Sequence, residues 1–433
     1  MRYKSSYIKI FNLILFCVWF SSALTAQDIS YARSVIDTLT SPEMAGRGYV
    51  EDGDLKAASY IAEEFKIHGV TGFQNSFLQN FSLSINTFPE NISLVIDGKK
   101  MMPGVDYQID PCSPPLEGNY KTFKYKKSWL SNDKAFEKAI EKNKKNVLLL
   151  DETILKLPPN DVRKVYDQLK HSTLDISGIL TLTDRPLIWS ASQFVCPIPG
   201  IIVKKSRIKS ANQLSVNIES KFKNRYRTQN VIGYIPGQKY SDSLLVFTAH
   251  YDHLGKMGKD TYYPGANDNA SGIAMLLSLV KHYSQNPPDF TVVFIAFGAE
   301  ESGLLGSRHF VEHPYFSLQK IKFLINLDMV GTGDEGITVV NGSIFEAQFH
   351  TLVSINNEHK LLPTIYARGE SCNSDHCPFY RKGVPTFFIY AMGGHKAYHD
   401  LNDRAETLTL TGFEGTFKLL LLFTSAIMDE RSL

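Results

Sequence analysis

The 433-residue chain has no low-complexity run and no short-period repeat, which excludes a solenoid and a disordered tail. It also lacks a surplus of charge. The formal net charge is +2, and three positive residues (Arg2, Lys4 and Lys9) lie in the first 26 positions, leaving the remainder near −1. Such a chain has no electrostatic reserve for nucleic acid. Beyond that first segment no apolar run is long enough to span a membrane. Cysteine is scarce, with five in all. The stretch 113–230 contains no catalytic constellation.

What is present is ordinary globular composition, 43% hydrophobic and 21% charged. The length suits two domains, or one large α/β domain with an insertion. Residues 1–26 read as a signal peptide: a basic start, an apolar stretch from Ile10 to Phe20, then Ser21, Ser22, Ala23, Thr25 and Ala26. Cleavage after Ala26 predicts an exported protein, periplasmic or secreted, with no membrane attachment. An uncleaved anchor is the alternative, but the apolar run is short for one. Cys112, Cys196, Cys372 and Cys377 then remain, and an oxidising compartment permits disulfides. Cys372 and Cys377 are close enough to bridge one loop; free buried thiols are the other reading.

Ser30 to Val70 reads as helix at both ends, around the turn-rich Met44-Ala-Gly-Arg-Gly48. Asn80 to Tyr107 alternates apolar and polar residues, as strands do, with turns at Asp97-Gly98 and Pro103-Gly104. Short apolar runs at 147–150, 176–182 and 198–203 suggest an inserted, mainly β module over 113–230. The flanking segments, 27–112 and 231–433, then make the principal domain. From Gln229 the pattern is regular. Strands are expected at 244–248, 291–297, 321–327 and 384–389, and helices at 272–283, 304–311 and 413–427. Continuous apolar strands alternating with helices predict an α/β fold: a mixed, largely parallel central sheet covered by helices on both faces.

Acids and histidines gather at the carboxyl ends of those strands, where open α/β sheets build their sites. His250-Tyr-Asp252 follows one strand, Glu300-Glu301 the next and Asp328 a third. Asp268 lies in Gly265-Ala-Asn-Asp-Asn-Ala-Ser-Gly272, a turn entering a helix, and His399 in Tyr398-His-Asp-Leu-Asn-Asp403. Singly each has a bland reading: a surface histidine, a solvated acid pair, a helix cap, a turn opener. As an ordered set they supply imidazole and carboxylate donors suited to zinc, where an all-oxygen set would favour magnesium or calcium. One carboxylate shared between two ions, plus a free carboxylate as general base, is the equipment of metal-assisted hydrolysis.

These segments, with Ala296-Phe-Gly-Ala-Glu-Glu-Ser-Gly-Leu-Leu-Gly-Ser307, Asn326-Leu-Asp-Met329 and Ser374-Asp-His376, resemble the two-zinc peptidase family of aminopeptidase S, aminopeptidase Y and the glutamate carboxypeptidases. The likeness runs over about 232–433 and the Met44–Gly48 region. It implies an exopeptidase acting on peptides, most naturally an aminopeptidase, with two zinc ions per chain. Asp268 would bridge them; His250 and Asp328 would complete one site, Glu301 and His399 the other. Glu300 would be the general base, Asp252 would orient His250 through its second ring nitrogen, and Tyr398 would steady the oxyanion. His253, His282, His309 and His313 read as structural or exposed. Asp375 and His376 read as neighbours of the site, Arg368 and Glu370 as candidates for its wall, and His395 as a rival of His399. The inserted region weakly resembles the protease-associated module of some relatives. A one-zinc glutaminyl cyclase, a carboxypeptidase or dipeptidase, and a catalytically silent receptor-like protein are the competing readings.

Overall fold

The computed structural model describes residues 28–428; the expected signal peptide lies outside them. A nine-stranded sheet forms the centre of the larger part. Across it run Thr71–Gly72, Lys221–Ile235, Phe290–Phe297, Tyr240–His250, Ile321–Leu327, Thr386–Met392, Gly336–Val340 and Ile365–Arg368, with Leu78–Thr87 added antiparallel to the long second strand. The four middle strands are mutually parallel. They are apolar without alternation because helices cover both faces: every residue of Phe290–Phe297 is buried. The fold is therefore the mixed α/β sheet flanked by helices that the sequence predicts.

Ser271–Gln285 lies across the sheet with Ile273, Met275, Leu276, Leu277 and Leu279 buried. It belongs to one apolar cluster with Ile29–Leu39, Gly53–Ile67 and the closing helix Phe413–Ile427. The opposite face packs Leu305–Glu312 and His376–Tyr380 through Phe310 and Phe379, whose rings stack 5.7 Å apart. The parallel register matters for chemistry. His250 pairs with Phe297 and Thr248 with Asn326, so His250, the acids after Phe297 and Asp328 emerge at one edge.

A second, eight-stranded sheet stands beside the first. Four strands, Leu116–Lys124, Val147–Asp151, Gly178–Thr183 and Gly200–Lys204, run parallel, with Asp133–Lys142 and Pro159–Lys170 among their connections. Ser93–Ile96, Lys99–Lys100 and Tyr107–Ile109 also belong to it, whereas Lys221–Ile235 lies in the central sheet. The second sheet thus reaches back across residue 112, and the central sheet back across residue 230 to Lys221. Cys112 is bonded to Cys196, and Cys372 to Cys377. Among the described residues no helix is long and apolar enough to cross a membrane.

Candidate metal centre

Seven of the eight residues singled out in the sequence line one cavity of about 250 Å³: His250, Asp268, Glu300, Glu301, Asp328, Tyr398 and His399. Arg368, Asn373, Met329, Phe388 and Tyr390 complete its wall. Asp252 lies directly behind it, fully buried.

Asp268 sits at the middle. Its Oδ1 is 3.3 Å from His250 Nε2, and its Oδ2 is 3.0 Å from His399 Nε2. On the first side Asp328 Oδ1 is 3.4 Å from His250 Nε2. On the second Glu301 Oε2 is 3.0 Å from His399 Nε2. Two histidine–carboxylate pairs therefore flank one carboxylate, each facing a different oxygen of it. His250, Asp268 and Asp328 can offer ligand atoms within 4.8 Å of one another. Mixed nitrogen and oxygen donors at this spacing fit zinc.

The loop bearing Asp268 is held from below by a buried cation. Arg47 is fully buried and donates Nε to the Tyr251 carbonyl, Nη1 to those of Leu39 and Pro264, and Nη2 to those of Gly265 and Asp268, at 2.6–3.3 Å. Burial lowers its pKa to about 10, against the opposing pull of Asp403, Asp268, Asp252 and Glu301. From the other side Asp403 accepts the backbone N–H groups of Asn267 and Asp268 at 2.8 and 3.0 Å, and also faces His395 Nε2 at 2.9 Å. That contact gives His395 a supporting position behind the loop. Gly265 enters the loop with φ +60°, and an added Cβ would meet the Asp268 carbonyl at 2.3 Å, so this turn requires glycine.

Around Asp328 runs a chain of hydrogen bonds: Thr248 to Asn326, Asn326 to Ser374, and Ser374 to Asp328 Oδ2, at 2.7–2.9 Å. Around His250 the arrangement differs from the sequence expectation. Its Nδ1 meets the backbone carbonyl of Asp252 at 3.2 Å, while the Asp252 carboxylate is 3.8 Å away. That carboxylate instead accepts the backbone N–H groups of Glu300 and Glu301 at 3.0 and 3.3 Å. Asp252 thus sets the direction of the acidic pair as much as of the histidine. His253, read as structural or exposed, is buried and bonds Glu301 Oε1 through Nδ1 at 2.8 Å. Only its place three residues after His250 could have drawn attention to it. Asp375 and His376 are buried beside the site; Arg368 lines it, whereas Glu370 is paired with Tyr380.

The electrostatics follow from crowding acids with imidazoles. Burial opposes charge on Asp268, yet hydrogen bonds from His250 and His399 hold its carboxyl well below the usual range. Burial and Asp268 both resist ionisation of Glu301, and His399 and His253 outweigh them, bringing it to about 2. Burial likewise disfavours charge on His399, but Glu301 and Asp268 raise it to about 11. His250 is raised well above its ordinary value by Asp328 and Glu300, again against burial. Glu300 goes the other way: burial first, then Asp375, Glu301 and Asp328, push its carboxyl well up despite His250.

With this geometry in view, the likeness to known proteins is specific. Residues 230–424 match the family model described as Peptidase family M28. This segment is an M28 peptidase domain. Aminopeptidase YwaD of Bacillus subtilis (strain 168) is 32% identical over 192 residues, which cover 43% of this chain and 41% of that protein. The chain thus matches about two fifths of that relative's own length. In fold, a zinc aminopeptidase of Bacillus subtilis, BSAP, superposes with a TM-score of 0.67 at 20% identity, over 93% of this chain and 96% of its own. A peptidase M28 precursor from Shewanella amazonensis SB2B gives 0.69 at 15% identity, over 93% and 94%. The M28 segment contains His250, Asp268, Glu300, Glu301, Asp328 and His399, whereas Arg47 precedes it.

Proposed function

We propose that this chain is an exported two-zinc aminopeptidase that removes N-terminal residues from peptides. The division of Asp268 between two histidine–carboxylate pairs is the observation that carries this reading. In it, His250 and Asp328 hold one zinc, Glu301 and His399 hold the other, and Asp268 serves both. When bound, the two ions polarise the scissile carbonyl and make a water more acidic.

The chain's own groups do the rest. Glu300 lines the cavity without being needed as a ligand, so its carboxylate is free to accept a proton. It takes the water's proton and returns it to the leaving amine nitrogen. Asp252 keeps Glu300 and Glu301 aimed apart by holding both backbone N–H groups. The Tyr398 ring stacks on His399 at 3.9 Å at the cavity rim, from which its hydroxyl can donate to the developing oxyanion.

The name of aminopeptidase YwaD supports the choice of an aminopeptidase. One observation favours a second reading: Arg368 at the rim suits a carboxylate, as a dipeptidase or carboxypeptidase requires. A shared Asp268 argues against a one-zinc cyclase, and retention of Glu300 beside it argues against a silent receptor.

The test is mass spectrometry of a peptide panel incubated with zinc-loaded protein, including free and blocked ends and an N-terminal glutamine. Stepwise loss of N-terminal residues, spared by N-terminal blocking and stopped by a chelator, is expected. Loss from the carboxyl end would move the function to the second reading; loss of ammonia alone would make it a cyclase.

A further inference from the structure

His250 and His399 are each fixed through Nδ1 by a backbone carbonyl, but the two carbonyls come from different parts of the chain. For His250 it is Asp252, two residues on. For His399 it is Trp189, 3.0 Å away, in the connection between two parallel strands of the second sheet. The contact is reciprocal: the Trp189 N–H donates to the His399 carbonyl at 3.0 Å. This clamp falls on a residue that needs one, because His399 has φ +51°, a left-handed conformation costly outside glycine.

The connection, residues 184–199, has no helix or strand of its own. Long irregular connections inside a compact domain are uncommon and usually functional. This one is tied down at several points. The Trp189 ring stacks on Tyr263 at 4.8 Å and its Nε1 donates to the Ile109 carbonyl at 2.8 Å. Cys196 is bonded to Cys112. Gln193 Nε2 donates to the Ser302 carbonyl at 2.6 Å, next to Glu301. The connection therefore touches His399 directly and its pair partner Glu301 through the adjoining Ser302. No such contact from it reaches Asp328 or His250 among the described residues.

We infer that the second sheet is a working part of the metal centre: Trp189 is a positioning residue that orients His399 toward its ion, so one of the two metal sites depends on this connection and the other does not. The inference rests on the ligand assignment proposed above. A carbonyl that accepts the Nδ1 proton leaves Nε2 as the lone-pair donor and fixes the ring plane, and losing such a partner typically weakens metal binding about 10–100-fold.

Zinc affinity, read by competition with a chromophoric chelator, separates the two sites when each is isolated. His250→Ala leaves the His399 side and His399→Ala leaves the His250 side. In the His250→Ala protein, Trp189→Ala keeps the backbone carbonyl but loses the Tyr263 stack and the Ile109 bond that hold it against His399, and should weaken the remaining zinc at least tenfold; Trp189→Phe, which keeps a ring against Tyr263, should restore most of that loss. In the His399→Ala protein the same two changes should move affinity less than twofold. Equal weakening in both backgrounds would reduce Trp189 to general stability, and no weakening in either would remove it from the site. A His399→Ala protein that still binds two zinc ions would overturn the ligand assignment itself, and the inference with it.

Discussion

Replacing Arg47 by methionine keeps much of the side chain's length and removes its charge and all its donors. Five carbonyls now share that guanidinium, at residues 39, 251, 264, 265 and 268. A hydrogen bond to a charged group contributes roughly 1.5–3 kcal/mol, and breaking a buried charged arrangement typically costs about 3–5 kcal/mol. The five bonds are not additive, since methionine also escapes the desolvation that lowers the guanidinium's pKa. A loss of about 4 kcal/mol is the reasonable expectation. With an unfolding entropy of about 2.1 cal/mol/K per residue, a chain of this size unfolding as one unit would lose about 5 °C in Tm. The Asp268 carbonyl and the Gly265 turn lose their anchor together, so zinc content should fall as well. Arg47→Lys should recover only part of both, because one ammonium cannot span five acceptors. Differential scanning calorimetry and metal analysis on the three proteins read the outcome. A methionine protein melting within about 1 °C of the parent, with full metal content, would refute the account of Arg47.

Glu300→Gln should keep both metals and lower kcat by about 100–10,000-fold, read by steady-state kinetics beside metal analysis. His253→Gln should leave the metal count at two while weakening the zinc on the Glu301 side, because His253 bonds Glu301 and packs edge-on against His399; His399→Ala should remove one metal, and the paired titrations distinguish a supporting histidine from a ligand. Zinc affinity should fall as pH falls through neutrality: the acids around His250 and His399 raise their pKa values, so each ion must displace imidazolium protons, and calorimetry in buffers of different ionisation enthalpy should detect their release.

Much of the larger part of the fold was legible because its middle strands are buried on both faces and so read as unbroken apolar runs; Ile321–Leu327 and Phe413–Ile427 match their sequence limits. The sheet edge was not. Glu346–His359 buries only Leu352 and Asn356, and Ile365–Arg368 has no fully buried residue, so neither leaves a strong periodic trace. The polar first half of Lys221–Ile235 hid a long strand in the same way. At the centre, most of the acids and histidines could be picked out because they follow strand ends, and Asp268 because its turn opens a helix. Their supports could not. Arg47 serves five carbonyls spread over more than 200 positions, and Trp189 reaches His399 through backbone atoms, which no residue type announces. Asp252 shows the same limit: its side chain was expected on His250, and its principal partners are the amides of Glu300 and Glu301.

The central claim is that Asp268 joins two metal sites. Anomalous diffraction from zinc-loaded crystals, collected on both sides of the zinc edge, tests it directly. The account predicts two peaks about 3.5–4 Å apart, one beside His250 and Asp328, the other beside Glu301 and His399, with Asp268 between them. A single peak, or two peaks that do not share Asp268, would contradict it.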